Sequence, residues 1–221
     1  MLTAFGQLLP IALAAAVSSV PITLTILILL SPKRNRLAIP FLIGWVVGMA
    51  VVVGLSALGA ASLPIRSVRT TQKAIGIAEI IVGVGLLVMA VLTWRRAAKG
   101  HTASRSRWLD SVDRLGPATA IGLALVLNLR PKGLLLGAAA GLAIAGARLN
   151  GTDAVIMIVV YLALASSTVT VPIVATLASP TRMQPRLVRA RDWLDRNGGH
   201  ITVVILLMVG LVILGDGLTR L

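Results

Sequence analysis

One segment constrains this chain more than any other. Residues 117–147 form an apolar stretch of 31 residues with Arg130, Pro131 and Lys132 near its middle. A helix crossing the hydrocarbon core needs about 20 apolar residues at about 1.5 Å rise each. The stretch is therefore too long for one straight crossing. A regular lipid-facing helix also tolerates neither two cations nor the loss of the amide that proline removes. The segment reads as two half-helices meeting inside a membrane. Five further apolar stretches, at 5–30, 39–61, 74–94, 154–178 and 201–218, are each long enough to cross. Hydrophobic residues make up 57% of the chain and charged residues 13%, against about 45–50% and about 25% in soluble domains. The expected fold is an all-α integral membrane protein with six transmembrane helices, built as a single transmembrane domain over 1–221.

The basic residues set the orientation. The net charge of +14 would suggest nucleic acid in a soluble protein. Here the cations lie in short runs between crossings, where they read as topology signals and contacts to anionic lipid, so no nucleic-acid partner is expected. The loops at 31–38, 95–116 and 179–200 share one face and carry 14 Lys and Arg, whereas the opposite face has 5. By the positive-inside bias the first face is cytoplasmic and both termini lie outside the cytoplasm. Trp45, Trp94, Trp108 and Trp193 fall toward the cytoplasmic face and read as interfacial anchors. Trp108-Leu109-Asp110 and Trp193-Leu194-Asp195 repeat a pattern before helices four and six. Met183, Leu187, Ala190 and Leu194 recur at helical spacing among arginines, predicting an interfacial helix over about 181–197.

The two halves, about 1–94 and 104–221, each open with a long apolar stretch interrupted by proline, Pro21 in the first and Pro131 in the second. Three crossings per half make the halves point in opposite directions, the 3+3 inverted repeat of many secondary transporters, with helices one and four broken. The apolar stretch at the N-terminus lacks the basic start of a secretory signal and is expected to be the first crossing. Cysteine is absent from the chain, which excludes disulfides and thiolate metal sites. A Gly-rich loop followed by Lys and Ser or Thr is absent too, so no ATP-binding motor and no cofactor are expected.

The chemistry is expected at the breaks. Pro131 removes an amide and clashes with the preceding turn, so the helix must open near Asn128. Counted from Pro117, Asn128 lies about 17 Å into the membrane. The second half-helix then presents free amides and its positive dipole end at mid-depth, flanked by Arg130 and Lys132. Such a site suits a phosphate, sulfate or carboxylate. Helix one has Ser18, Ser19 and Pro21 at similar depth; helix five has Ser166, Ser167, Thr168, Thr170 and a third break at Pro172. Their hydroxyls are expected to face the helix-four cations across a polar pocket, or else to bond their own backbone. Glu79 is the one carboxylate well inside a crossing, either a proton or ion-coupling group or a residue that snorkels outward or pairs with Arg69 or Lys73. Gly44 with Gly48, and Gly137 with Gly141, are spaced for close helix approach, within the monomer first and in a homodimer second. His101 and His200 lie at loop and helix ends without a paired nucleophile, so no enzyme is expected.

Four stretches carry a resemblance. They are Ser31-Pro32-Lys33-Arg34-Asn35-Arg36 leading into Phe41-Leu42-Ile43-Gly44-Trp45, and Asn128-Leu129-Arg130-Pro131-Lys132 running into Leu134-Leu135-Leu136-Gly137-Ala138-Ala139-Ala140-Gly141. Ala165-Ser166-Ser167-Thr168-Val169-Thr170-Val171-Pro172 and Trp193-Leu194-Asp195-Arg196-Asn197 complete the set. In that order they resemble the sulfolipid- and glycopeptidolipid-addressing proteins of actinobacteria, within the lysine-exporter superfamily. The resemblance implies a six-helix inner-membrane protein that helps bring envelope lipids to the cell surface. The superfamily's Asn, Pro and Lys fall on Asn128, Pro131 and Lys132, with Leu129 and Arg130 standing between Asn and Pro. Asp216 stands where a basic residue is expected, so no role is carried over there. The expected function is transport of an envelope glycolipid or lipid-linked anion, with anionic or glycosylated membrane lipids as partners. A small-solute exporter and a non-transporting accessory of a lipid-synthesis or export complex are the alternatives.

The cation asymmetry makes a direct prediction. A reporter active only in the cytoplasm, fused at Leu221, is expected to be silent, and one active only outside it to be strong. The reverse result inverts the assignment.

Overall fold

The computed structural model describes residues 2–61, 68–98, 116–147 and 149–219. Trp108-Leu109-Asp110, His101, Arg66, Arg148 and Arg220 lie outside the described residues, as does the side chain of Arg69. Among the described residues all regular structure is helical: α1 (Leu2–Ala16), α2 (Ser19–Leu30), α3 (Arg34–Ala61), α4 (Val68–Ala98), α5 (Pro117–Asn128), α6 (Pro131–Gly146), α7 (Gly151–Ala178) and α8 (Pro180–Thr219). Four segments, Arg34–Ala60, Ile75–Arg95, Gly151–Ala178 and His200–Thr219, are long and apolar enough to cross a membrane singly. The pairs α1–α2 and α5–α6 qualify together, bent by 50° and 69° at their breaks.

Both breaks follow from proline. Pro131 disfavours the α-region for the residue before it, and Arg130 is extended at ψ 150°. Pro131 then occupies the first position of α6, where a missing amide costs nothing. In the first pair the gap falls at Val17 and Ser18, not at Pro21 itself, which lies in the first turn of α2. Pro21 lacks the amide that would bond the carbonyl of Val17, and its ring crowds that carbonyl, so the chain opens one turn upstream.

Contacts along α3 show how the two halves of the fourth stretch run. Ile121 lies beside Gly44, Asn128 beside Gly48, Val52 beside Gly137 and Ser56 beside Gly141. The sequence therefore advances in one direction along α3 from α5 through α6, so this pair is a broken crossing and not a hairpin returning to one face. The glycines named from sequence act within the monomer, letting α3 approach both half-helices. A Cβ at Gly44 would stand 2.6 Å from the carbonyl oxygen of Ile121, and one at Gly48 would stand 2.6 Å from Nδ2 of Asn128. A second seam, unread from sequence, joins α4 to α8. Gly83 faces Gly210, and Gly217 faces Gly76, so the two helices run antiparallel with a seven-residue repeat of glycine on each.

Two expectations need correction. Pro172 does not break helix five, because α7 continues from Gly151 to Ala178 with Pro172 inside it. One proline forfeits a single ladder bond, and neighbouring helices can stabilise a crossing that carries it. The segment 181–197 is helical, but it is not a separate element. It forms the first half of α8, a helix of 40 residues. Leu187 and Leu194, seven residues apart, bury one of its faces, while Val188 and Trp193 stay exposed.

Glycine substitutions separate seam positions from open ones. Gly141→Ala places a Cβ against Ser56 and Ala57 backbone and is expected to lower stability by about 1–3 kcal/mol. Gly54→Ala, with nothing within 4 Å, is expected to be neutral or stabilising by about 0.5–1 kcal/mol. Thermal unfolding in detergent compares the two.

Candidate functional site: a cavity between two helix breaks

The two breaks meet. A cavity of about 480 Å³ is walled by Ser18, Ser19 and Pro21 from the first break and by Asn128, Arg130, Pro131, Lys132 and Gly133 from the second. Trp45, Met49, Val52 and Val53 of α3 close one side, and Met89, Leu92 and Thr93 of α4, Tyr161 of α7 and Thr202 of α8 close the others.

Each wall residue is held for a physical reason. Opening the helix at Val17 frees backbone carbonyls, and side chains from other helices satisfy them. Lys132 Nζ donates to the carbonyl of Val17 at 3.3 Å, and Thr168 Oγ1 donates to the carbonyl of Ala16 at 2.6 Å. Asn128, 4% exposed, donates from Nδ2 to the carbonyls of Trp45 and Ala124 at 3.2 and 3.0 Å, tying α3 to α5. Gly48 leaves the room that the Asn128 amide fills. Gly133 is small for a similar reason, since a Cβ there would lie 2.5 Å from the Asn128 carbonyl oxygen.

The cavity gathers hydrogen-bond donors. The first amides of any helix have no intrahelical carbonyl to bond. In α2 these belong to Ser19 and Val20, and in α6 to Lys132 and Gly133, all four residues lining the cavity. Neither Ser18 nor Arg130 caps its helix with its own side chain. Two half-helix N-termini, each worth about half a positive charge, thus share a space with Arg130 and Lys132. Among the described residues that line it, none is acidic. The arrangement is suited to an anion.

The structure brings together Ser18, Ser19, Asn128, Arg130, Lys132, Pro21 and Pro131, as the sequence predicts. The helix-five hydroxyls are not among the lining residues. Ser167 donates to the Leu164 carbonyl of its own helix, Ser166 accepts from Thr170, and Thr168 serves the α1 terminus. On that helix the hydroxyls find partners in protein outside the pocket, and Tyr161, about two turns before the last of them, supplies the wall. Glu79 is buried at 4% exposure on α4 and lies outside the cavity wall. Trp45 is not an interfacial anchor. It is 6% exposed and lines the cavity, whereas Trp94 and Trp193 are more than half exposed. Its place about 16 Å along α3 was the available signal, being too deep for a headgroup-level ring. Thr202, Met49, Met89 and Tyr161 carried no signal that sequence spacing distinguishes from packing.

These features define a multi-pass α-helical membrane protein with a donor-rich cavity between two interrupted helices. Residues 8–219 match the family model described as Sap, sulfolipid-1-addressing protein, and the chain belongs to that family. No curated protein and no solved structure matches it.

The helix-five hydroxyls make a testable contrast. Thr168→Val strips a partner from the Ala16 carbonyl and is expected to cost about 1 kcal/mol. Ser167→Ala removes only a bond within its own helix and is expected to leave the unfolding temperature unchanged. Both are expected to retain the ligand affinity of the parent chain. A loss of affinity at Ser167→Ala would return that hydroxyl to the binding site.

Proposed function

We propose that this protein moves an envelope glycolipid, or another lipid-linked anion, across the bacterial inner membrane, holding the anionic headgroup in the cavity between the breaks. The observation that carries the reading is the convergence of Arg130, Lys132 and two half-helix N-termini on one space that lacks acidic lining residues. The volume of about 480 Å³ lies within the range of about 300–1,000 Å³ of small-molecule sites. It accommodates a headgroup and leaves acyl chains to the surrounding lipid. Membership of a family described by lipid addressing supports the same cargo class.

The inverted repeat belongs to this proposal, because alternating access follows naturally from it. Exchanging the halves maps α1–α2 onto α5–α6, α3 onto α7 and α4 onto α8. The packing of α3 on α5 then corresponds to α7 on α1, α3 on α6 to α7 on α2, and α4 on α6 to α8 on α2. The pairs α4–α8 and α3–α7 map onto themselves. All of these pairs are in contact. The first half of α8 is proposed to track the cytoplasmic membrane face. Ser179 alone separates it from α7, so α8 starts at the face where α7 ends and where the His200–Thr219 crossing must begin.

The test is translocation of a labelled anionic lipid in proteoliposomes, beside a neutral lipid of equal tail length. Replacing Arg130 and Lys132 together by Gln is expected to abolish transport of the anionic lipid while the protein still inserts. Lys132→Arg keeps charge with altered geometry and is expected to retain more activity than neutralisation. Glu79→Gln is expected to change the pH dependence of transport, in keeping with a coupling role at a buried membrane carboxylate. Undiminished transport by the doubly neutralised protein rules out the headgroup site. Normal lipid export in cells expressing that variant, but not in cells with altered 181–197, would instead favour an accessory role.

A further inference from the structure

Two donors in the cavity wall have no partner among the described residues. The indole Nε1 of Trp45 and the hydroxyl of Thr202 are shielded from solvent and meet no hydrogen-bond partner there. Their residues are 6% and 7% exposed, and both line the space that holds Lys132 and Arg130. A buried polar atom left unpaired is costly, and in a settled core nearly all such atoms are paired. The two residues come from separate helices, α3 and α8, and both line the same cavity. The backbone carbonyl of Trp45 is already engaged by Asn128, which fixes this part of α3 and leaves its indole N–H the unsatisfied group.

We propose that Trp45 and Thr202 are ligand-binding residues, donating to oxygens of a tetrahedral oxyanion ester, a sulfate or phosphate borne on a lipid headgroup. The inference rests on the reading of the cavity as a headgroup site and adds to it the groups that choose the headgroup. An indole N–H donates and cannot accept. With the ammonium of Lys132, the guanidinium of Arg130 and the free amides of α2 and α6, it makes a set dominated by donors. A fully ionised ester oxyanion offers acceptors only, so each of its oxygens can be met. A neutral glycosyl headgroup brings hydroxyl hydrogens that need acceptors, and this wall supplies few.

Position extends the argument. Thr202 lies two residues into the His200–Thr219 crossing, and Thr93 lies two residues from the end of Ile75–Arg95. Both ends belong to the cation-rich face by sequence. Trp45 and Lys132 lie farther in. The donors thus run from that face to the breaks, so a headgroup entering from there meets Thr202 before it reaches Trp45 and the cations.

The experiment measures equilibrium binding of sulfatide to the purified full chain in detergent micelles, beside phosphatidic acid and the neutral galactosylceramide. The wild type is expected to bind both anionic lipids and to bind galactosylceramide far more weakly. Trp45→Phe keeps the ring and removes the N–H; Thr202→Val keeps the shape and removes the hydroxyl. Each is expected to weaken binding of the anionic lipids about three- to tenfold, with Thr202→Ser restoring it. The ligand-free variants are expected to unfold at or above the wild-type temperature, because removing an unpaired buried donor relieves a cost. Unchanged affinity in both variants, with binding still lost on Arg130→Gln plus Lys132→Gln, overturns this inference and leaves the headgroup site standing. Wild-type chain that binds neither anionic lipid overturns both. A difference between sulfatide and phosphatidic acid identifies which ester the donors select.

Discussion

The bond from Lys132 to the carbonyl of Val17 is the contact on which the rest of the site depends. Two interrupted helices inside a bilayer leave carbonyls and amides that water cannot reach, and each unsatisfied group costs several kcal/mol in hydrocarbon. The structure meets this by bringing the breaks together. The carbonyl stranded by Pro21 accepts from a cation stranded by Pro131, while Thr168 satisfies the neighbouring carbonyl of Ala16. The second break supplies a donor to the first, and the residues that carry the left-over amides line the shared space.

That arrangement holds only if the helices around it are close. Glycine provides the closeness. Gly44 and Gly48 admit α5 to α3, Gly137 and Gly141 admit α6, and the seam of Gly76 and Gly83 with Gly210 and Gly217 joins α4 to α8. Without a hydrophobic drive between helices in lipid, backbone approach and van der Waals contact carry the packing. Asn128 connects scaffold and site. Its amide fills the space at Gly48, bonds the Trp45 carbonyl and leaves the indole beside the cavity.

The chemical character of the cavity follows from what fills and what spares it. Donors gather because half-helix N-termini present amides, because the cations flank the break, and because Trp45 and Thr202 keep unpaired donors in the wall. Among the described residues Glu79 is the deeply buried carboxylate, and it lies on α4 outside the cavity wall. On the proposed reading a site of this kind would discriminate by charge before shape, and the family description is one of lipid addressing.

Much of this was legible in the residues alone, for local reasons. Apolar length marks a crossing irrespective of its neighbours, and proline breaks a helix wherever it lacks help, so the six stretches, the interruption at Arg130-Pro131-Lys132 and the glycine spacing on α3 and α6 could all be read directly. What depended on a partner could not. Pro21 and Pro172 look alike in sequence, yet the chain opens upstream of one and stays helical through the other. Ser166, Ser167 and Thr168 look like pocket hydroxyls until other partners come within reach, the Thr170 hydroxyl for Ser166 and backbone carbonyls for Ser167 and Thr168. Trp45 looks like an interfacial anchor until Asn128 and the cavity surround it. Local covalent geometry and hydropathy determined where the chain can cross and where proline can open it; only the tertiary structure decided which prolines do so and which freed groups satisfy one another, because a hydrogen bond needs its partner in place.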